Sequence, residues 1–188
     1  MRIVAGEFRG RALAAPSDET IRPTADRVRQ TVFDMLVHGY GDPVAGARVL
    51  DLFAGTGALG IEALSRGAAS VLFVEEGAEA RGLIRANVEA FGLTGRTRIF
   101  RRDATDLGPA GTVARFSLVF ADPPYRKGLG EKALASAIGG GWLTDDAIVV
   151  LEEAAGVTVT PVAGLKLAET RMIGDTAVHF LVAGAARP

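Results

Sequence analysis

The chain has 188 residues, a net charge of −1, 48% apolar residues and no cysteine. That length suits one domain with a real core. The lack of cysteine excludes disulfides and thiolate metal sites and points to a cytoplasmic location. Two histidines far apart in the chain, His38 and His179, argue against a metal centre. No run approaches the roughly 18 apolar residues of a membrane span, and the opening MRIVAGEFRGR lacks the apolar block of a signal peptide.

In chain order, residues 2–5 and 11–15 read as two short strands joined through Gly6 and Gly10, a small hairpin. Pro23 and Thr24 open a helix to about Val37, with Val28, Val32, Met35 and Leu36 on one face. After the turn at Gly41–Pro43, short apolar runs alternate with helical segments. Strands are expected at 48–53, 71–74, 97–100, 117–121 and 147–151, and helices at 58–65, 78–91 and 131–138. The runs VLDLF, VLFV, SLVFA and AIVVL are apolar without alternation, as in parallel strands covered on both faces. Residues 165–173 and 176–182 form two final strands joined at Gly174-Asp175, a hairpin signal. The pattern is α/β, a doubly wound and mostly parallel sheet closed by an antiparallel last strand. We divide it at residue 40, with an N-terminal hairpin and helix (1–40) ahead of the main domain (41–188).

Charge is unevenly placed. Residues 1–30 hold six arginines (Arg2, Arg9, Arg11, Arg22, Arg27, Arg29) against four acids, and Arg96, Arg98, Arg101 and Arg102 form a second cluster. Local basic patches supply phosphate contacts without an overall basic pI.

The segment DLFAGTGALG, Asp51 to Gly60, runs a strand into a glycine turn at the start of a helix. Glycine permits the tight turn and lets backbone approach a ligand there. Taken literally the segment is also GxGxxG, with Glu75 twenty residues after Gly55, so a nicotinamide dinucleotide must be weighed. Two features favour S-adenosylmethionine. Asp51 stands where an acid holds a positively charged amine, a poor neighbour for a pyrophosphate, and Phe53, Gly55, Thr56 and Gly57 make the turn resemble the DxFxGxG loop of class I methyltransferases. Glu75, with Glu76 as its rival, ends the second strand and can accept hydrogen bonds from both ribose hydroxyls. Asp103 and Ala104 follow the third strand, where an adenine would lie.

Asp122-Pro123-Pro124-Tyr125 follows the strand SLVFA, at the carboxyl end where open α/β sheets place their ligands. The tetrapeptide resembles the DPPY-type motif of methyltransferases acting on amino nitrogens conjugated to planar rings. Such a nitrogen is poorly nucleophilic because its lone pair is delocalised. Asp122 and the Pro123 carbonyl can accept its hydrogens and turn the lone pair outward, and Tyr125 can stack on an extruded base.

Over nearly its whole length the chain resembles the 16S rRNA (guanine(966)-N(2))-methyltransferase family, RsmD. MRIVAGEFRGRAL, IRPTADRVRQTVFDML, DLFAGTGALGIEALSRGA, the FVE strand end and DPPY come in family order, and the segment 171–180 resembles its closing hairpin. One departure is Glu76-Gly77, where relatives commonly carry a lysine or aspartate pair. The resemblance implies a Rossmann-like class I methyltransferase of seven strands, monomeric, that uses S-adenosylmethionine to methylate guanine N2 of 16S rRNA in an assembling small ribosomal subunit. It assigns Asp122, Pro123 and Tyr125 to the target amine, and Asp51, Phe53, Gly55–Gly57, Glu75, Asp103 and Ala104 to the cofactor. Arg2, Arg9, Arg11, Arg22, Thr24 and Arg27, with Tyr125, are the candidates for contact with RNA. The rival readings are a DNA adenine-N6 methyltransferase, for which the chain has little room for a target-recognition segment, an NAD-linked oxidoreductase, which has no use for DPPY, and a non-catalytic RNA-binding factor.

Overall fold

The computed structural model describes residues 1–16 and 26–184. The expected helix start at Pro23 and Thr24, and Arg22, lie outside them. The first helix, α1 (Asp26–Gly39), is followed by β1 (Arg48–Leu52), α2 (Ala58–Ser65), β2 (Ser70–Val74), α3 (Ala78–Ala90), β3 (Thr97–Phe100), β4 (Phe116–Ala121), α4 (Leu129–Gly139), β5 (Leu143–Ala154), β6 (Leu165–Ile173) and β7 (Thr176–Ala183). The strands form one sheet in the order β3-β2-β1-β4-β5-β7-β6. β1 to β5 are parallel, and β7 alone runs against both of its neighbours. This is the Rossmann-like sheet with a reversed last strand that the sequence predicts.

The apolar runs explain the layering. Val49 points to one side of the sheet, where α1, α2 and α3 pack, and Leu50 and Leu52 point to the other, toward α4 and Trp142. Helix α1 buries Val28, Val32, Phe33 and Leu36 as an apolar stripe, whereas Met35 is only partly covered. Arg29, unremarkable in the sequence, is fully buried on the same helix.

The expected N-terminal hairpin takes a reduced form. The chain does turn back, with Ile3 N–H donating to the Arg11 carbonyl at 3.0 Å and Gly10 N–H to the Ile3 carbonyl at 2.8 Å. The two arms share a single antiparallel bridge, Arg2 to Ala12. Leu13 N–H also crosses to the Met1 carbonyl at 3.2 Å, and further donors of the segment are used elsewhere. Val4 and Ala5 N–H reach the buried Glu62 carboxylate at 2.8 and 3.0 Å, and Glu7 and Phe8 N–H reach the Ser65 carbonyl and hydroxyl. Gly6 lies so close to α2 that a Cβ there would sit 1.9 Å from the Ser65 carbonyl oxygen. Arg29 and Arg66 pair with Glu62 at 3.3 and 2.8 Å and neutralise it in the interior. The segment is thus fastened to the far end of the helix that follows the glycine loop.

Candidate active site

β1 and β4 are adjacent and in register, Leu52 beside Ala121. Their carboxyl ends therefore bring Asp51 and Asp122, 71 residues apart in sequence, to one place. A cleft of about 500 Å³ opens there, lined by Asp51, Phe53, Gly55, Thr56 and Glu75 from one side and by Asp122, Pro123 and Tyr125 from the other.

The glycine loop and the start of α2 are shaped by two tight approaches and one left-handed non-glycine residue. Gly57 caps α2 in the left-handed region, φ +78°, and a Cβ on it would press on Phe73 and Ile84 at 3.2 and 3.3 Å. Gly57 forms the cleft wall from behind rather than lining it. Gly60 sits where a Cβ would be 2.4 Å from the Phe73 ring and 2.8 Å from Val71, so it brings α2 down onto β2. Phe53 is also left-handed, φ 57°, a conformation that costs a side-chain-bearing residue about 1–2 kcal/mol. It lines the cleft while packing against the core on the α4 side of the sheet.

Asp51 is 2% exposed and accepts the Gly60 N–H at 2.9 Å. Burial raises its pKa well above the ordinary 3.8, and the nearby charges of Asp122 and Glu75 add to the effect, against the Gly60 hydrogen bond. Glu75 is fixed by two backbone donors, Gly55 N–H at 2.9 Å and Gly77 N–H at 2.7 Å. It also lines a second pocket of about 480 Å³, with Phe53, Gly77 and Pro124 shared between the two and Asp103 and Ala104 on the far side. Glu76 touches only the second. One Asp103 oxygen accepts from Thr105 N–H and hydroxyl, both at 2.8 Å, closing a small turn that shapes this pocket.

The DPPY corner is braced on several sides. Pro123 is buried and packs against Gly130, where a Cβ would approach the proline ring at 3.3 Å and Leu151 at 2.5 Å. The Tyr125 hydroxyl lies 3.4 Å from the Thr176 hydroxyl on β7. The next residue, Arg126, is left-handed at φ 64°, and its N–H donates at 2.9 Å to the buried Glu153 carboxylate on β5.

Among the described arginines singled out near the amino terminus, Arg2, Arg9, Arg11 and Arg27 do not line the cleft. Arg2 donates to the Gly10 carbonyl, and Arg11 donates to the Ala90 carbonyl while lying over the Phe91 ring at 4.2 Å. Arg9 and Arg27 are exposed. Three supporting residues escaped the sequence reading: Glu62, Glu153 and Asn87. Asn87 is buried in α3, donates to the Thr56 carbonyl at 3.0 Å and accepts from Ala14 N–H at 2.7 Å, tying the glycine loop to the N-terminal segment. Its signal was available: an amide on the stripe Ala80, Ile84, Val88, where an apolar residue belongs.

A family model described as "Conserved hypothetical protein 95" matches residues 1–182. The chain is 40% identical over 156 residues to "Ribosomal RNA small subunit methyltransferase D" of Escherichia coli K12, covering 81% of this chain and 74% of that one. It is 33% identical over 154 residues to the protein of the same name in Haemophilus influenzae, covering 81% and 78%. The solved structure of yhhF from Escherichia coli superposes over 98% of both chains, with a TM-score of 0.82 and 33% identity. The family signature runs from the N-terminal segment through DPPY to the last strand, and on these matches the chain belongs to the ribosomal RNA small subunit methyltransferase D family.

Proposed function

We propose that this protein transfers a methyl group from S-adenosylmethionine to the exocyclic N2 of a guanine in small-subunit (16S) rRNA, at position 966 by its family resemblance. The observation that carries the proposal is the single cleft holding both the Asp51–glycine-loop side and the Asp122–Pro123–Tyr125 side.

The residues fit the cofactor. Asp51 offers a buried carboxylate to a cationic amine, Glu75 stands between the two connected pockets with its carboxylate already oriented, and Asp103 and Ala104 bound the far pocket. An elongated ligand with an amino-acid end and a nucleoside end matches that division. A dinucleotide does not, because its pyrophosphate would lie among the carboxylates of Asp51, Glu75 and Asp122. When bound, S-adenosylmethionine supplies an electrophilic methyl group on a positively charged sulfur.

The chain's own residues do the rest. Asp122 and the Pro123 carbonyl accept the two hydrogens of the target amine and turn its lone pair toward the cofactor side of the cleft. Proline has no N–H and little backbone freedom, so its carbonyl is presented as a fixed acceptor. Tyr125 stacks on the extruded base, a contact worth about 1–3 kcal/mol, and its hydroxyl, near Thr176, sets the plane of the ring. The base leaves its stack to enter, as enzymes acting on base atoms require. Most of the rate gain comes from holding the reacting atoms in line. In this reading residues 1–40 form the RNA-facing part of the molecule, with Arg9 and Arg27 the exposed candidates for phosphate contact.

The test is methyl incorporation from labelled S-adenosylmethionine into small ribosomal subunits from cells lacking this protein, with DNA as the control and nucleoside mass spectrometry to identify the product. N2-methylguanosine is expected. Asp122→Ala is expected to lower transfer at least a hundredfold, the scale of losing one positioned proton acceptor, with cofactor affinity within about threefold of wild type. A fully active Asp122→Ala protein, or N6-methyladenine in DNA as the product, overturns the reading.

A further inference from the structure

The proposed reaction leaves the cluster Arg96, Arg98, Arg101 and Arg102 without a role: four arginines in seven residues with no acid among them. The fold gives the cluster a definite place. β3 is an outer strand of the sheet, and among the described residues it pairs only with β2 and its other side is open.

At the amino ends of β1 to β4, the pole opposite the cofactor cleft, lies a groove of about 360 Å³. Arg48, Arg96 and Arg98 line it with Ser70, Thr97 and Thr112, and no carboxylate is among its described lining residues. Two of these arginines are set in position by backbone carbonyls. Arg48 donates to the Ala114 and Arg115 carbonyls and lies over the Phe116 ring at 5.2 Å, and Arg96 donates to the Ala68 and Ala69 carbonyls. Arg98 and Arg101 are exposed, and among the described residues neither side chain is held by a hydrogen bond or an ion pair. Arg98 lies on β3, and Arg101 follows directly on its last residue, Phe100. Arg102, next along, borders the pocket of Asp103 and Ala104. A basic line thus runs from the groove along the edge of the sheet to the rim of the second pocket.

We propose that the open side of β3, with the groove at its amino end, binds the phosphate backbone of the RNA substrate as a contact line separate from the base-accepting cleft. The proposal rests on the RNA-methylating reading above. Guanidinium groups in a row without intervening acids suit consecutive phosphates, each able to take a forked pair of N–H donors. A contact line away from the cleft carries no base specificity. It fixes register and orientation on a structured RNA, as phosphate contacts do.

The ordinary alternative is that arginines on an outer strand only block pairing with another sheet. The test uses the full chain carrying Arg98→Gln with Arg101→Gln, and a second protein carrying Arg98→Lys with Arg101→Lys. Both are assayed for methyl transfer to unmethylated small ribosomal subunits across a salt series. The glutamine pair is expected to raise KM for the subunit about tenfold near 0.15 M salt and to lower the salt slope of binding by about one per arginine. Its kcat, cofactor affinity and melting temperature are expected to stay at wild-type values, and the lysine pair to restore most of the loss. Wild-type KM and salt slope in the glutamine pair, or a lysine pair as impaired as the glutamine pair, overturns the contact line while leaving the methyltransferase reading intact. A wild-type protein that transfers no methyl group to RNA sinks that reading itself.

Discussion

At the scale of single residues, the site is built from groups in costly states. Asp51 is the clearest case. Its pKa is raised by burial and by the neighbouring Asp122 and Glu75, so between the ordinary value and the raised one the folded protein holds a proton there that the unfolded chain has released. Stability from this residue therefore falls as pH climbs from the ordinary 3.8 toward the raised value, and the loss persists at neutral pH. Asp51→Asn keeps an acceptor for the Gly60 N–H and removes the charge, so its melting temperature at pH 7 is expected to rise by a few degrees while S-adenosylmethionine binding is lost. A thermal melt and a binding titration on the same sample check both halves, and a melting temperature below wild type contradicts the argument. Asp51, Glu75 and Asp122 are all legible in the sequence, because each is an acid at or just past the carboxyl end of an apolar run. Glu62, Glu153 and Asn87 are less so, since the partners that tie them to other elements lie 27 to 73 residues away and only the folded chain supplies those.

At the scale of elements, close packing decides what glycine does. Alanine in place of a mid-helix glycine ordinarily stabilises by about 1 kcal/mol. In α3, Gly82 has nothing within 4 Å of a would-be Cβ, so Gly82→Ala is expected to stabilise by about 0.5–1 kcal/mol. In α2, Gly60→Ala drives the methyl into Phe73 and Val71 and is expected to cost about 1–3 kcal/mol despite the better helix former. Denaturant unfolding of the two variants tests the contrast, and equal signs would refute it. Strand and helix positions followed closely from periodicity, with α2 and β3 matching residue for residue. β5 was read too short. Its early residues Asp145 and Asp146 are exposed, and only the later, fully apolar part carried the buried-strand signal. The N-terminal hairpin is legible as a chain reversal, but a sequence shows which residues favour strands and not which other element takes the N–H groups of Val4 and Ala5.

At the scale of the whole molecule, the fold joins a central sheet covered on both faces, with β6 left exposed at its edge, and a ligand cleft at one pole. A cofactor that binds only the native state raises stability by mass action, about 2.7 kcal/mol at a hundredfold excess over Kd, or roughly 5–10 °C for a domain of this size. S-adenosylmethionine is expected to produce such a shift and NAD none. The opposite ranking in a thermal-shift titration would revive the oxidoreductase reading. The sheet topology was within reach of the sequence because alternating strands and helices leave few ways to wind.

The fastening of the first residues to α2 and α3 also bears on how the protein is made. Ile3, Phe8 and Leu13 belong to the core, yet the groups that bond the segment in place, Glu62 for Val4 and Ala5, Ser65 for Phe8, Ala90 for Arg11 and Asn87 for Ala14, lie 57 to 79 positions further on. At about 5–20 residues per second of synthesis, the leading stretch emerges several seconds before its seat has been translated. Three large apolar side chains wait uncovered through that interval, a natural target for the holding chaperones that meet nascent chains.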